Sequence, residues 1–182
     1  MLRIKVPARE FYDESKQEFV EIKEQTLVME HSLISISKWE AKWHKPYLTD
    51  EKKTPEEIYD YFKCMTISPS NVDPIIFRSL TKENIDAISE YISDPMTATT
   101  ITEQKRPGSK KEIITSEILY YDMIAQNIPV EFEKWHINRL ITLIRVCAIK
   151  NNPNQKKMSA SAIAKQNRAI NAARRKKYGT RG

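Results

Sequence analysis

The sequence predicts an α+β fold, predominantly helical, with a small N-terminal antiparallel sheet, a helical core and a basic C-terminal helical arm. Three observations predict it. Apolar residues alternate with polar ones near the N-terminus, the period of half-buried strands. From Ser32 onward they recur at three- and four-residue steps between helix-capping and helix-stopping residues. The third is charge. Of the 30 Lys and Arg, 13 lie from Lys134 onward, where there is no Asp or Glu. The first 133 positions therefore hold 17 basic residues and all 24 acidic ones, a net charge of −7 beneath an overall +6. This division predicts a folded body over 1–150 and a basic extension over 151–182.

Taken in order, Leu2, Ile4 and Val6 alternate with Arg3 and Lys5 until Pro7 ends the run. Phe19–Ile22 and Thr26–Met29 are further strand candidates, and Asp13–Gln17 reads as their polar connection. Leu33, Ile36, Trp39, Lys42 and Trp43 mark a helix that Lys45-Pro46 stops. Ser32, Ser35 and Ser37 read as its polar face. Thr54, Pro55 and Glu57 form a capping box with proline at the first helical position. Behind them Ile58, Tyr61, Phe62 and Met65 make an apolar stripe. Thr81 opens another helix, with Ile85, Ile88, Tyr91 and Ile92 facing inward and Asp94-Pro95 as its stop.

Thr97–Lys111 reads as an exposed loop. Ile113–Ala125 reads as a well-buried helix, and Asn127–Pro129 breaks the chain after it. Phe132, Trp135, Leu140, Leu143, Ile144 and Cys147 cover more than one helix face, so this segment is expected to be the central helix. Asn151–Gln155 reads as a polar hinge. From about Ser159 to Lys177, alanine-rich sequence favours helix, yet only Ile163 and Ile170 offer large apolar contacts. Such a helix is expected to depend on a partner.

Composition excludes several functions. Only three glycines occur, Gly108, Gly179 and Gly182. A phosphate-binding glycine loop, a dinucleotide fingerprint and a Gly-x-Ser-x-Gly elbow are all absent. Cys64 and Cys147 are too few for a disulfide framework or a zinc site and are expected to be buried thiols in a reducing compartment. His31, His44 and His136 lack metal-ligand spacing, and His136 reads as structural. Glu56, Glu57 and Asp60 are explained by the helix start they occupy. No catalytic constellation emerges, so no enzyme, cofactor, metal or nucleotide site is expected. The longest apolar stretch, Leu140–Ile149, contains Arg145 and is too short to span a bilayer, which predicts a soluble, intracellular protein.

Two groups are candidates for partner binding. Trp39, Trp43, His44 and Tyr47 combine aromatics with neighbouring cations. Arg168, Arg174, Arg175, Lys176 and Lys177 cluster on the predicted C-terminal helix, a footprint that suits nucleic acid, an acidic partner protein, or the body of its own or a neighbouring copy through self-association.

Five stretches carry a resemblance: Ser37–Leu48 (SKWEAKWHKPYL), Tyr61–Thr66 (YFKCMT), Asp94–Thr99 (DPMTAT), Lys134–Cys147 (KWHINRLITLIRVC), and the KKM ending at Met158 with the NAAR of Asn171–Arg174. Through them nearly the whole chain resembles a family of tailed-bacteriophage proteins encoded near the tape-measure gene of long-tailed phages, where tail assembly chaperones are found. The resemblance implies a non-enzymatic, mainly helical protein of the host cell cytoplasm. It would bind the tape-measure protein, keep it soluble and recruit tail-tube protein. A virion structural protein that locks onto a neighbour through its C-terminal arm is the alternative. A nucleic-acid binder fits less well, because the acidic body repels phosphate.

Overall fold

The structure is a computed structural model that describes residues 1–13, 17–101, 113–151 and 160–179. The chain divides into two compact units, Met1–Ala148 and Ile149–Gly182.

In the first unit, β1 (Leu2–Val6) pairs antiparallel with β4 (Gln25–Met29), placing Ile4 opposite Leu27. Alternation sends Ile4, Val6, Leu27 and Met29 to the buried face. The third strand, β5 (Thr66–Ser68), adds to the other edge of β4 across a register irregularity at Val28/Met29. Between β1 and β4 the chain inserts a separate hairpin, β2 (Arg9–Asp13) with β3 (Glu18–Ile22). The sequence reading is corrected here. Arg9–Asp13, to which the sequence assigns no element beyond the connection starting at Asp13, is a strand, and β3 pairs with it rather than joining the main sheet.

Helices α1 (Leu33–Trp43) and α2 (Pro55–Met65) start as their caps dictate. The Ser32 hydroxyl accepts the Ser35 N–H, and the Thr54–Glu57 box forms in both directions. Ser32 and Ser35 are buried, contrary to the polar-face reading, because both hydroxyls are used at the helix start: Ser35 donates to the Glu30 carbonyl at 2.9 Å. Ile58 is exposed, whereas Tyr61, Phe62 and Met65 are buried as expected. A short helix α3 (Ile75–Arg78), not foreseen, buries Ile76 and Phe77. Helix α4 (Lys82–Ser93) opens on a capping box between Thr81 and Asn84, and Ile88 is its fully buried residue. Ile85, Tyr91 and Ile92 are partly buried against the core.

Helix α5 (Ser116–Ala125) buries only Ser116, Leu119 and Met123. Ile113, Tyr121 and Ile124 are exposed, so the expectation of a well-buried helix is corrected to one with an inner and an outer face. The expected central helix is also revised. Val130–Lys134 forms a 3₁₀ turn, Trp135 is extended, and α6 (Ile137–Asn151) begins only after them. Pro129 precedes the turn in an extended conformation, φ −55° and ψ 139°, outside the wound residues. The element at the centre is α1, on which α2, α5 and the 3₁₀ turn all pack. Both thiols are half-buried rather than buried.

The second unit holds α7 (Ala160–Tyr178), closed by Gly179 in the left-handed conformation that glycine adopts without steric penalty. The expected hinge lies outside the described residues beyond Asn151, as does most of the Thr97–Lys111 loop, from position 102. Among the described residues no helix is long and apolar enough to cross a membrane.

The burial pattern orders the tryptophans by energetic weight. Trp39 is 1% exposed, whereas Trp135 is half-buried between Phe132 and Arg139. Trp39→Ala is expected to lower unfolding free energy by about 3–5 kcal/mol in urea titrations, and Trp135→Ala by clearly less.

Candidate functional site

The aromatic candidates lie where the C-terminal turn of α1 meets α2. Two indoles one turn apart on α1 grip two positions one turn apart on α2. Trp39 Nε1–H donates to the Glu57 carbonyl at 2.8 Å, and Trp43 Nε1–H donates to Asp60 Oδ2 at 2.9 Å. The other Asp60 oxygen accepts from the Lys42 ammonium. Lys45 reaches Glu57 Oε1 at 2.6 Å, while Glu57 Oε2 accepts the Thr54 N–H at 2.7 Å. The Lys45 hydrogen bond first, and the Thr54 N–H second, hold the Glu57 carboxyl below the usual carboxylate range.

Aromatic contacts run inward from Trp43. It stacks on Trp39 at 6.2 Å, Trp39 meets Tyr47 edge-on at 5.2 Å, and Tyr47 stacks on Tyr61 at 3.9 Å. The Lys53 ammonium lies over Tyr47, 4.6 Å from the ring centroid. Of the predicted partner residues, then, Trp39 is core. Tyr47 is half-buried and built into the aromatic stack. His44 is exposed and ends α1 in the left-handed conformation (φ 53°), its N–H donating to the Glu40 carbonyl. Trp43 alone combines a fixed orientation with an open face. Arg168, Arg174 and Arg175 are exposed on α7, and the side chains of Lys176 and Lys177 lie outside the described residues.

Trp43 opens onto a groove of about 670 Å³ between α1, α2 and α3. Pro55, Tyr59, Pro74 and Phe77 add apolar surface, and Lys63 and Arg78 place cations on its rim beside Glu56. Among the described residues, no ion pair neutralises Lys63 or Arg78. Sequence reasoning found Trp43 but missed Tyr59, Asp60 and Phe77. Asp60 read as a helix-start charge, and no local signal links it to Lys42 and Trp43.

A second cluster is buried. His31 Nδ1 lies 2.5 Å from the Tyr61 hydroxyl, and the His31 and His136 rings are 5.0 Å apart. His136 Nε2 is 2.9 Å from the Tyr91 carbonyl, which can only accept, so Nε2 carries the proton. Its Nδ1 is then the acceptor for the Asn138 N–H at 3.3 Å. The Tyr91 hydroxyl donates to Glu30 at 2.6 Å. Burial, with a smaller contribution from His136, depresses His31 to about 3; burial also lowers His136. Burial, then Asp60, raises the Cys64 thiol, which disfavours the nucleophilic thiolate. Among the described residues no group of three His, Cys, Asp or Glu is placed to hold a metal ion. The open groove suits binding, and the buried cluster suits structure.

Comparison with protein-family models, curated proteins and solved structures finds no significant match for this chain.

Two predictions follow from these networks. The histidines fold neutral and are protonated more readily when unfolded, so their contribution is full above pH 6.5 and is lost as pH falls toward their folded values. His31 alone is expected to remove about 2 kcal/mol of stability between neutral pH and pH 5, and His31→Gln to flatten that slope in pH-dependent urea titrations. The second concerns Glu40, whose two carboxylate oxygens accept the Tyr47 and Ser116 N–H groups, each at 2.7 Å. An amide turns a donor toward one of these N–H groups, so Glu40→Gln is expected to cost about 1–3 kcal/mol in the same titrations.

Proposed function

We propose that this chain is a non-enzymatic tail-assembly protein of a tailed bacteriophage, acting in the host cytoplasm as a chaperone that binds the tape-measure protein and promotes tail-tube assembly. The observation that carries this reading is the groove at Trp43. It offers aromatic surface, a rim of unneutralised cations and an indole fixed from behind by Asp60. Features of this kind favour capture of a polypeptide through an anchoring apolar side chain and a nearby carboxylate. A tape-measure protein is a long helical rod with apolar faces that must be kept from aggregating, and a shallow aromatic groove suits repeated weak contacts along it. The family resemblance over nearly the whole chain supplies the partner's identity.

Co-expression tests the proposal. The phage's tape-measure protein, insoluble alone, is expected to become soluble and to co-purify with this chain, and Trp43→Ala combined with Lys63→Glu is expected to abolish both effects while circular dichroism stays unchanged. Mass spectrometry of purified virions separates the alternatives: absence from particles fits an assembly factor, whereas stoichiometric abundance favours a structural component. Submicromolar DNA binding at physiological salt, removed by Arg168→Glu with Arg174→Glu, would instead favour the nucleic-acid reading.

A further inference from the structure

The β2–β3 hairpin carries a sheet face whose four side chains stand exposed among the described residues of its unit. Strand alternation and register place Glu10 directly opposite Glu21, and Tyr12 directly opposite Phe19, with all four side chains exposed. Tyr12 is 53% and Phe19 67% exposed, and their rings meet edge-on at 5.1 Å. Ile22 is buried, which fixes the base of the hairpin to the core. This arrangement is unfavourable for an isolated hairpin. Two carboxylates face each other across the strands, where like charges repel. Among the described residues neither is ion-paired, and the adjacent aromatic pair is left in water.

A partner for this face needs cations that neutralise Glu10 and Glu21 and lie flat on aromatic rings. Arginine does both. The chain itself carries such an element. On α7, Lys165, Arg168 and Arg175 recur at helical spacing along one stripe, and Ala169 and Ala172 lie between them. The small residues let the helix backbone approach closely, and the described cations of the stripe are exposed. Arg168 and Arg175 are about 10 Å apart along the helix, and the hairpin's carboxylate and aromatic rows are about 7 Å apart, so one stripe reaches both rows.

We propose that the Glu10–Tyr12–Phe19–Glu21 face receives α7 of a second copy of this chain. Every copy carries both halves of the match, so the contact joins one copy of the chain to another. It also gives α7 the partner that its scarcity of large apolar residues requires.

The test is sedimentation velocity of the full chain from about 50 to about 500 mM salt, a range over which exposed charges become screened. Association at low salt that dissolves at high salt is expected. Glu10→Lys with Glu21→Lys, and separately Arg168→Glu with Arg175→Glu, are each expected to weaken it at least about tenfold. Combining all four substitutions in one chain reverses both surfaces and is expected to restore association, which separates lost complementarity from lost folding. A chain that is monomeric at low salt would overturn the proposal. So would association unchanged by either pair, or a four-site variant that stays monomeric. A monomer in which the hairpin and α7 cross-link within one chain would overturn it in favour of intramolecular docking.

Discussion

Between Trp39 and Trp43, one turn of α1 holds side chains that tie three other parts of the body to this helix. Trp39 and Trp43 hydrogen-bond two positions on α2, and Lys42 shares Asp60 with Trp43. Glu40 points the other way, its carboxylate taking one N–H from the segment after the helix and one from the start of α5. Those N–H groups lie at places where regular secondary structure offers them no partner: Tyr47 in a loop, Ser116 in the first turn of a helix. A buried carboxylate without such donors would be costly; with two short, charge-assisted bonds it becomes a clamp. The apolar core supplies most of the stability, but these directional contacts decide how the helices are registered on α1. The groove at Trp43 inherits its shape from that registration.

The features legible in the sequence were those whose chemistry is local. The Thr54–Glu57 box, the Thr81 start and the alternation of β1 and β4 each depend on residues a few positions apart, and each occurs where the sequence places it. Elements defined by tertiary contact were not legible. Arg9–Asp13 has no apolar alternation to announce β2, α3 is a single turn, and β5 is three residues long. The apolar run from Phe132 to Cys147 suggested a continuous helix because periodicity alone cannot detect an interruption. Here a 3₁₀ turn and an extended Trp135 precede α6. The candidate site divides in the same way. Aromatics serve cores and interfaces equally well, so sequence could not tell buried Trp39 from half-exposed Trp43, and the long-range role of Asp60 left no local trace.

The charge division has a physical consequence for α7. Alanine lowers the entropic cost of winding this helix, and Gly179 closes it, but propensity and a cap stabilise an isolated helix of nineteen residues only marginally. Its cations add mutual repulsion that no carboxylate in the segment offsets. Stability must therefore come from outside the helix, through contacts that favour positive charge. In the proposed contact between copies, the excess of carboxylates in the first 133 residues meets that requirement. It also disfavours a phosphate backbone brought close to the body.

The histidine cluster marks the boundary between perturbed titration and function. Strongly shifted groups are enriched at active sites because catalysis needs them tuned, but tuning is useful only where substrate can arrive. His136 uses both ring nitrogens within the fold, on the Tyr91 carbonyl and the Asn138 N–H. His31 lies against Tyr61, with His136 as its ring neighbour, and is 2% exposed. Its shift arises first from desolvation, the same burial that closes it to reactants. A proton that cannot be exchanged with a bound molecule has no catalytic use, whatever its affinity. What the cluster does supply is direction: its hydrogen bonds join the residues after β4 to α2, α4 and α6, where purely apolar contacts would allow several packings. The polar groups that reach solvent, around Trp43 and on the hairpin, lie in open surfaces rather than enclosed cavities.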